Sequence, residues 1–126
     1  MSKKLHLIGQ KIQAIRYGLL RFTEGTEMQS MQVSTSLDDG IHLNCIIREG
    51  EETPLLNKRV CLIQKNKDDY LYVSGEIDDE VRTNCKIVSL RIAKACWFTR
   101  KRKGNAVWLQ EKYIYQHPGS IVDIAS

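Results

Sequence analysis

The chain has 126 residues, 42% of them hydrophobic and only two proline, enough for one domain that buries a core without disulfide or metal staples. No stretch approaches the roughly 18 uncharged apolar residues of a membrane span, and the apolar run after Met1-Ser2-Lys3-Lys4 is too short and interrupted for a signal peptide, so a cytoplasmic protein with no membrane partner is expected. The net charge of +4 is local: without Arg100-Lys101-Arg102-Lys103, basic and acidic residues balance.

Leu5, Ile8, Ile12 and Ile15 recur at spacings of three and four, which predicts an amphipathic helix from Leu5 to Arg16. Ser2 is a candidate cap, Gly9 weakens the middle, and Tyr17-Gly18 is read as the stop. A β pattern begins at Leu19 and runs to Thr23. Met28 to Ser36 follows as a polar strand, with Met31 and Val33 on one face and Ser30, Gln32 and Ser34 on the other. Ile41 to Ile47 alternates after the Asp38-Asp39-Gly40 turn, a hairpin signal that pairs these two strands antiparallel.

Pro54-Leu55-Leu56 is read as one helical turn, because proline is tolerated at a first helical position. Val60 to Ile63 is apolar on both parities, as in a strand covered on both sides. After Asn66-Lys67-Asp68-Asp69, Tyr70 to Ile77 forms the next strand, with Gly75 marking a bulge or a close backbone approach. Asp79 to Asn84 is expected to be a short helix or turn, followed by a strand over Lys86 to Ile92. Ala95 to Arg100 and Ala106 to Gln110 read as a hairpin, and Tyr113 to Gln116 as a last short strand, with residues 120–126 a tail. The predicted core includes Leu20, Phe22, Val60, Leu62, Val73 and Leu90.

Chemistry-bearing motifs are sparse. Cysteines 45, 61, 85 and 96 form no C-x-x-C pair and no zinc-ligand spacing with histidine, which points to reduced thiols, with Cys45 and Cys61 as small buried hydrophobes. His6, His42 and His117 stand far apart, so no Ser-His-acid or Cys-His arrangement is suggested. The phosphate-cradling patterns G-x-x-x-x-G-K-[ST] and G-x-G-x-x-G are absent. Glu49, Glu51 and Glu52 read as a solvated loop, and the basic run as a solvated hairpin tip.

The order of elements, a helix followed by Gly18-Leu19-Leu20-Arg21-Phe22-Thr23, a polar strand, the Asp38-Asp39-Gly40 turn and Ile41-His42-Leu43-Asn44-Cys45-Ile46-Ile47, resembles the FMN-binding split-barrel family of pyridoxamine 5'-phosphate oxidase and the general-stress flavin proteins. Leu56 to Ile63, Tyr70 to Ile77 and the Trp97-Phe98 pair extend the likeness, which spans roughly residues 8–98. The resemblance implies a mainly β fold with flanking helices, a small antiparallel split β-barrel as one domain over residues 1–126, and a homodimer with the flavin between subunits. It implies a flavoprotein oxidoreductase acting on a small molecule with FMN as cofactor. Carried over by position, Ser30, Met31, Gln32 and Val33 would line the isoalloxazine ring, Ile46, Ile47 and Arg48 would approach the phosphate end, and Thr53 and Lys58 are further phosphate candidates.

Two departures keep a cofactor-free ligand-binding or interaction module open as the alternative. Met31 stands where the family commonly has a basic residue, and the loop after the third strand is acidic. Nucleic-acid binding by Arg100 to Lys103 with Trp97, Phe98 or Trp108 stacking is disfavoured, because a groove that tracks a backbone needs charge spread over several strands.

Overall fold

The computed structural model describes residues 3–39, 41–47 and 53–117. The stripe of Leu5, Ile8, Ile12 and Ile15 is wholly buried on helix α1 (Lys3–Ile15), as an apolar face at helical spacing requires. The helix ends at Arg16, whose φ of 67° breaks the α conformation. Its amide donates to the Ile12 carbonyl at 3.0 Å, while its carbonyl accepts from the Thr35 amide at 2.8 Å. Tyr17, read from sequence as part of the stop, instead opens strand β1 (Tyr17–Glu24).

Strands β2 (Glu27–Leu37), β3 (His42–Ile47), β4 (Arg59–Asn66), β5 (Asp69–Arg82), β6 (Lys86–Lys103) and β7 (Ala106–Gln116) follow. They pair antiparallel in the order β3-β2-β1-β4-β5-β6-β7, and β3 also pairs with β6, so six of the strands close into a ring. Three successive strands with the fourth returning beside the first is Greek-key order. Strand β6 is long enough to serve two neighbours on one edge: residues 86–91 face β3, and residues 94–103 face β7. The sheet therefore closes and also sheds a seventh strand at the same place.

Inward side chains fill the ring. Leu20, Phe22, Val60, Leu62, Val73 and Leu90 are all buried, together with Val33, Leu43, Cys45, Leu71, Ile77 and Val88. Each aliphatic or aromatic side chain so buried contributes about 1.5 to 3 kcal/mol relative to exposure. Helix α1 covers the end of the ring where β1 and β5 begin and β2 and β4 finish. Arg16 meets Thr35 there, Gly9 lies against Leu37, and the Lys11 ammonium meets Asp69 Oδ2 at 2.8 Å. Asp69 Oδ1 also accepts from Trp97 Nε1 at 3.2 Å and Thr99 Oγ1 at 3.3 Å, and Lys11 sits 4.6 Å from the Trp97 ring centroid. Burial opposes ionisation of Asp69, but these donors outweigh it and lower the pKa.

Several local expectations change. Residues 54–58 form no helix: Leu56 and Asn57 make a turn, Asn57 has φ 66°, and the Lys58 amide donates to the Leu55 carbonyl at 2.9 Å. Residues 79–82 continue strand β5, and only the turn from Thr83 to Cys85 separates it from β6. Two predicted strands merge into β6 and two into β7. Cys61 points outward and is only half-buried, unlike Cys45. Gly75 is a close approach as expected, since a Cβ there would stand 1.9 Å from the Arg91 carbonyl oxygen. Beside it the β5–β6 register shifts, with Ala93 the unmatched residue. The Ser2 cap and the acidic loop at 49–52 lie outside the described residues.

Candidate functional site

Because successive strand residues alternate between faces, the ring register defines rows across its outside. One row runs Gln32, Leu19, Ile63, Tyr72, Cys96, Ile114 across β2, β1, β4, β5, β6 and β7. The next runs Ser30, Arg21, Cys61, Ser74, Lys94, Gln116. The centre of the first row is apolar and half-buried or better although it faces away from the core. This contiguous apolar strip on an outer sheet face, bordered by polar and cationic residues, is a candidate interaction surface.

Tyr72 is the polar centre of that strip. Its hydroxyl and the Cys61 thiol share a hydrogen bond at 2.8 Å. Burial, and then that bond, push the phenol up to about 12, so it remains a neutral hydroxyl at any physiological pH. Burial raises the Cys96 thiol as well, and none of the four cysteines is in a disulfide. Cys96 and Tyr72 act as polar packing groups, because a thiol raised above its ordinary pKa is a poor nucleophile.

The residues singled out by sequence divide between the two faces of the sheet. Met31 packs against the core and Val33 is buried within it, so both face inward. Ser30 and Gln32 face outward and are exposed. On β3, Ile47 is buried in the core, whereas Ile46 is half-buried on the outside, paired with Ser34 of β2. The outer face thus gathers Ser30, Gln32, Ser34 and Ile46, and it cannot present Met31, Val33 or Ile47 to the same ligand. Lys58 lies with its ammonium 5.8 Å from the Phe22 ring centroid. The Thr53 carbonyl accepts from the Lys86 ammonium, and Arg48 lies outside the described residues.

Arg21 was not among the sequence candidates, yet it stands directly across from Ser30 on the outer face and is exposed. The signal for it was present: the Glu24–Glu27 turn fixes the β1–β2 register, and alternation puts Arg21 on the same face as Ser30. Directly opposed residues hold their Cβ atoms about 4.5 to 5.5 Å apart. Short hydroxyls and an amide on a strand face can hydrogen-bond a planar heteroaromatic edge, Ile46 and Leu19 can pack on it, and an exposed guanidinium suits a phosphate. This donor set, with Arg21 as its cation, is compatible in kind with a planar heteroaromatic ligand that carries a phosphate.

Two further polar groups are structural clamps. The buried Lys86 ammonium meets Glu80 Oε1 at 3.1 Å, and that carboxylate also accepts from the Leu55 amide at 3.2 Å. Burial works against the Glu80 carboxylate, but these partners lower its pKa. His42 bridges two aspartates, with Nδ1 2.9 Å from Asp39 Oδ1 and Nε2 2.9 Å from Asp78 Oδ2. Burial alone would lower the imidazole pKa, but its two carboxylate partners raise it.

Among the described residues no group of three or more His, Cys, Asp and Glu is arranged to hold a metal ion, and no described helix is long and apolar enough to cross a membrane. No protein-family model matches the chain, and no curated protein matches it significantly.

Proposed function

We propose that the chain is a flavin-binding split barrel of the pyridoxamine 5'-phosphate oxidase type, a homodimer that holds FMN on the outer face of β2 and β1 and serves redox chemistry on a small molecule. The observation that carries this reading is the strand order. A leading helix followed by antiparallel strands, six of which close into a ring, supports it, since the resemblance implies a helix packed on a small antiparallel barrel.

In this reading Ser30, Gln32 and Ser34 orient the ring edge, Ile46 and Leu19 exclude water from one side, and Arg21 holds the phosphate. Bound FMN supplies the hydride or electron exchange, and the protein supplies orientation and electrostatics. The Leu19, Ile63, Tyr72, Cys96, Ile114 strip is the face a two-fold partner covers, because one surface that is self-complementary closes a dimer. Four thiols free of disulfides suit a reducing compartment such as the cytoplasm.

A fluorescence-quenching titration with FMN tests the proposal. A charge-assisted contact to phosphate contributes about 1.5 to 3 kcal/mol, so Arg21→Ala should weaken binding roughly ten- to hundredfold. Light scattering at micromolar concentration should give about twice 14.5 kDa. A wild type that leaves millimolar FMN unbound ends the flavin reading. The inward position of Met31 and the internal engagement of Lys58 and Thr53 favour a second reading, a cofactor-free barrel that binds a ligand or partner through the same outer face, and that titration decides between the two.

A further inference from the structure

Pairing between β5 and β6 ends at Asp69 and Thr99, and beyond it residues 100–109 continue as a two-stranded ribbon turned by Gly104, whose φ is 59°. The cross-strand pairs are Arg100 with Leu109, Lys101 with Trp108, and Arg102 with Val107. Val107, Trp108 and Leu109 are 48%, 46% and 53% exposed, and Arg100, Lys101, Arg102 and Lys103 form no ion pair among the described residues. We propose that this arm is a docking element for an anionic lipid surface, with the β7 edge entering the interface and the β6 cations meeting the headgroups.

The placement of charge and apolar surface favours that occupant. Neighbouring residues of a strand point to opposite faces, so Val107 and Leu109 lie on one side of the ribbon and Trp108 on the other. A rigid partner touching one face would use Val107 and Leu109 without Trp108, or Trp108 without them. A medium that surrounds the free edge uses all of it. The apolar triplet is confined to the β7 edge of the ribbon and the four cations to its β6 edge, about 4.8 Å away. An edge-on approach therefore places Val, Trp and Leu at the acyl boundary and Arg and Lys at phosphate level, the order in which an interfacial element distributes these residue types.

A single-stranded nucleic acid would find one stacking ring, Trp108, between two aliphatic residues that offer no stacking. A second copy of the chain would bring four more cations against these four.

The test is partition of the full chain onto vesicles of phosphatidylcholine with one third phosphatidylserine, compared with phosphatidylcholine alone. It is read by co-sedimentation and by tryptophan emission, with Trp108→Phe giving the contribution of Trp97. Binding to the anionic vesicles only, weakened by salt, with a blue shift that Trp108→Phe removes, is the expected result. Lys101→Gln with Lys103→Gln should reduce partition roughly thirtyfold, and Val107→Ser with Leu109→Ser should abolish the blue shift. These are arm positions outside the ring, and circular dichroism confirms that the variants stay folded. Equal binding to both vesicle types, or no effect of either double variant, overturns the proposal. So does an absence of vesicle binding with a fluorescein-labelled RNA 20-mer bound in a Trp108-dependent way, or with a dimer lost on Val107→Ser and Leu109→Ser.

Discussion

Lys86 near the start of β6 and Lys103 at its end carry the same charge on one strand in opposite surroundings. Lys86 is buried, faces Glu80 at 3.1 Å and donates to the Thr53 carbonyl, because the ring on both sides of β6 excludes water there. Lys103 lies beyond the last β5 pairing, exposed and without an ion pair among the described residues. A charge in the ring has to be matched by built partners, since an uncompensated buried ion costs several kcal/mol. A charge on the arm is matched by solvent and left free to meet something else. Structural and interactive lysines are thus separated by where the second neighbour of β6 ends, not by residue type.

The largest effect that tests this contrast is at the crossing of β5 and β6. Gly75→Ala places a methyl group against the Arg91 carbonyl, and backbone cannot yield there without parting the strands, so a loss of about 3 kcal/mol or more is expected. An unchanged melting temperature would show that the two strands separate more easily than this packing implies. Next, Glu80→Ala removes the carboxylate that matches the buried Lys86 ammonium and should cost about 2 to 3 kcal/mol in chemical denaturation. Lys86→Met, which removes the buried charge itself, should cost less. If the two variants are equal, the pair is not what matches the charge.

Asp69→Asn weakens the contacts to Lys11, Trp97 and Thr99 that hold α1 and β6 together. Lys11 is about a third exposed, so solvent screening limits its share. The expected loss is about 1 to 2 kcal/mol by thermal melting.

The next prediction is one of pH. The raised His42 pKa means that its clamp is fully formed below the ordinary histidine value of 6.5 and is lost as pH rises through the higher folded value. Asp69 and Glu80, with lowered pKa values, act oppositely: their stabilisation is present above about 4 to 4.5 and is lost as pH falls through the lower folded values. Stability should therefore peak between these windows, near pH 5 to 6. His42→Asn should flatten the alkaline side, and a wild-type melting temperature constant from pH 6 to 8 would contradict the clamp. Smallest of all, Lys103→Gln on the arm should change stability by less than about 0.5 kcal/mol, the usual range for an exposed surface site.

Much of the ring was legible in the chain. The helix stripe, the face assignment of β2, the antiparallel pairing of β2 with β3, the turn at residues 66–69, and the tight approach at Gly75 all follow from local spacing, because periodicity and turn chemistry act over a few residues. The strand ends were less legible. Residues 79–84 carry acidic, helix-like composition, yet pairing of Asp79 to Arg82 with Lys86 to Ser89 holds residues 79–82 extended and leaves a turn only from Thr83. Likewise β6 reads as two strands, because the unmatched Ala93 changes which parity faces inward and interrupts the alternation.

The candidate site shows the same division. From Met31 and Val33 alone, inward packing and ligand contact predict the same residue types, and only the closed ring assigns them to the core. Arg21 became a site candidate only through its pairing with Ser30.

What the sequence by itself determined was the first helix, the cores of the strands and which residues alternate within them, since those depend on each residue's near neighbours. Whether an apolar alternate residue is core or outer surface, which edge of β6 meets β3 and which meets β7, and hence where a ligand, a partner or a lipid surface could approach, was decided by ring closure. Closure joins residues such as Cys45 and Val88 that lie far apart in the chain, and no local pattern carries that information.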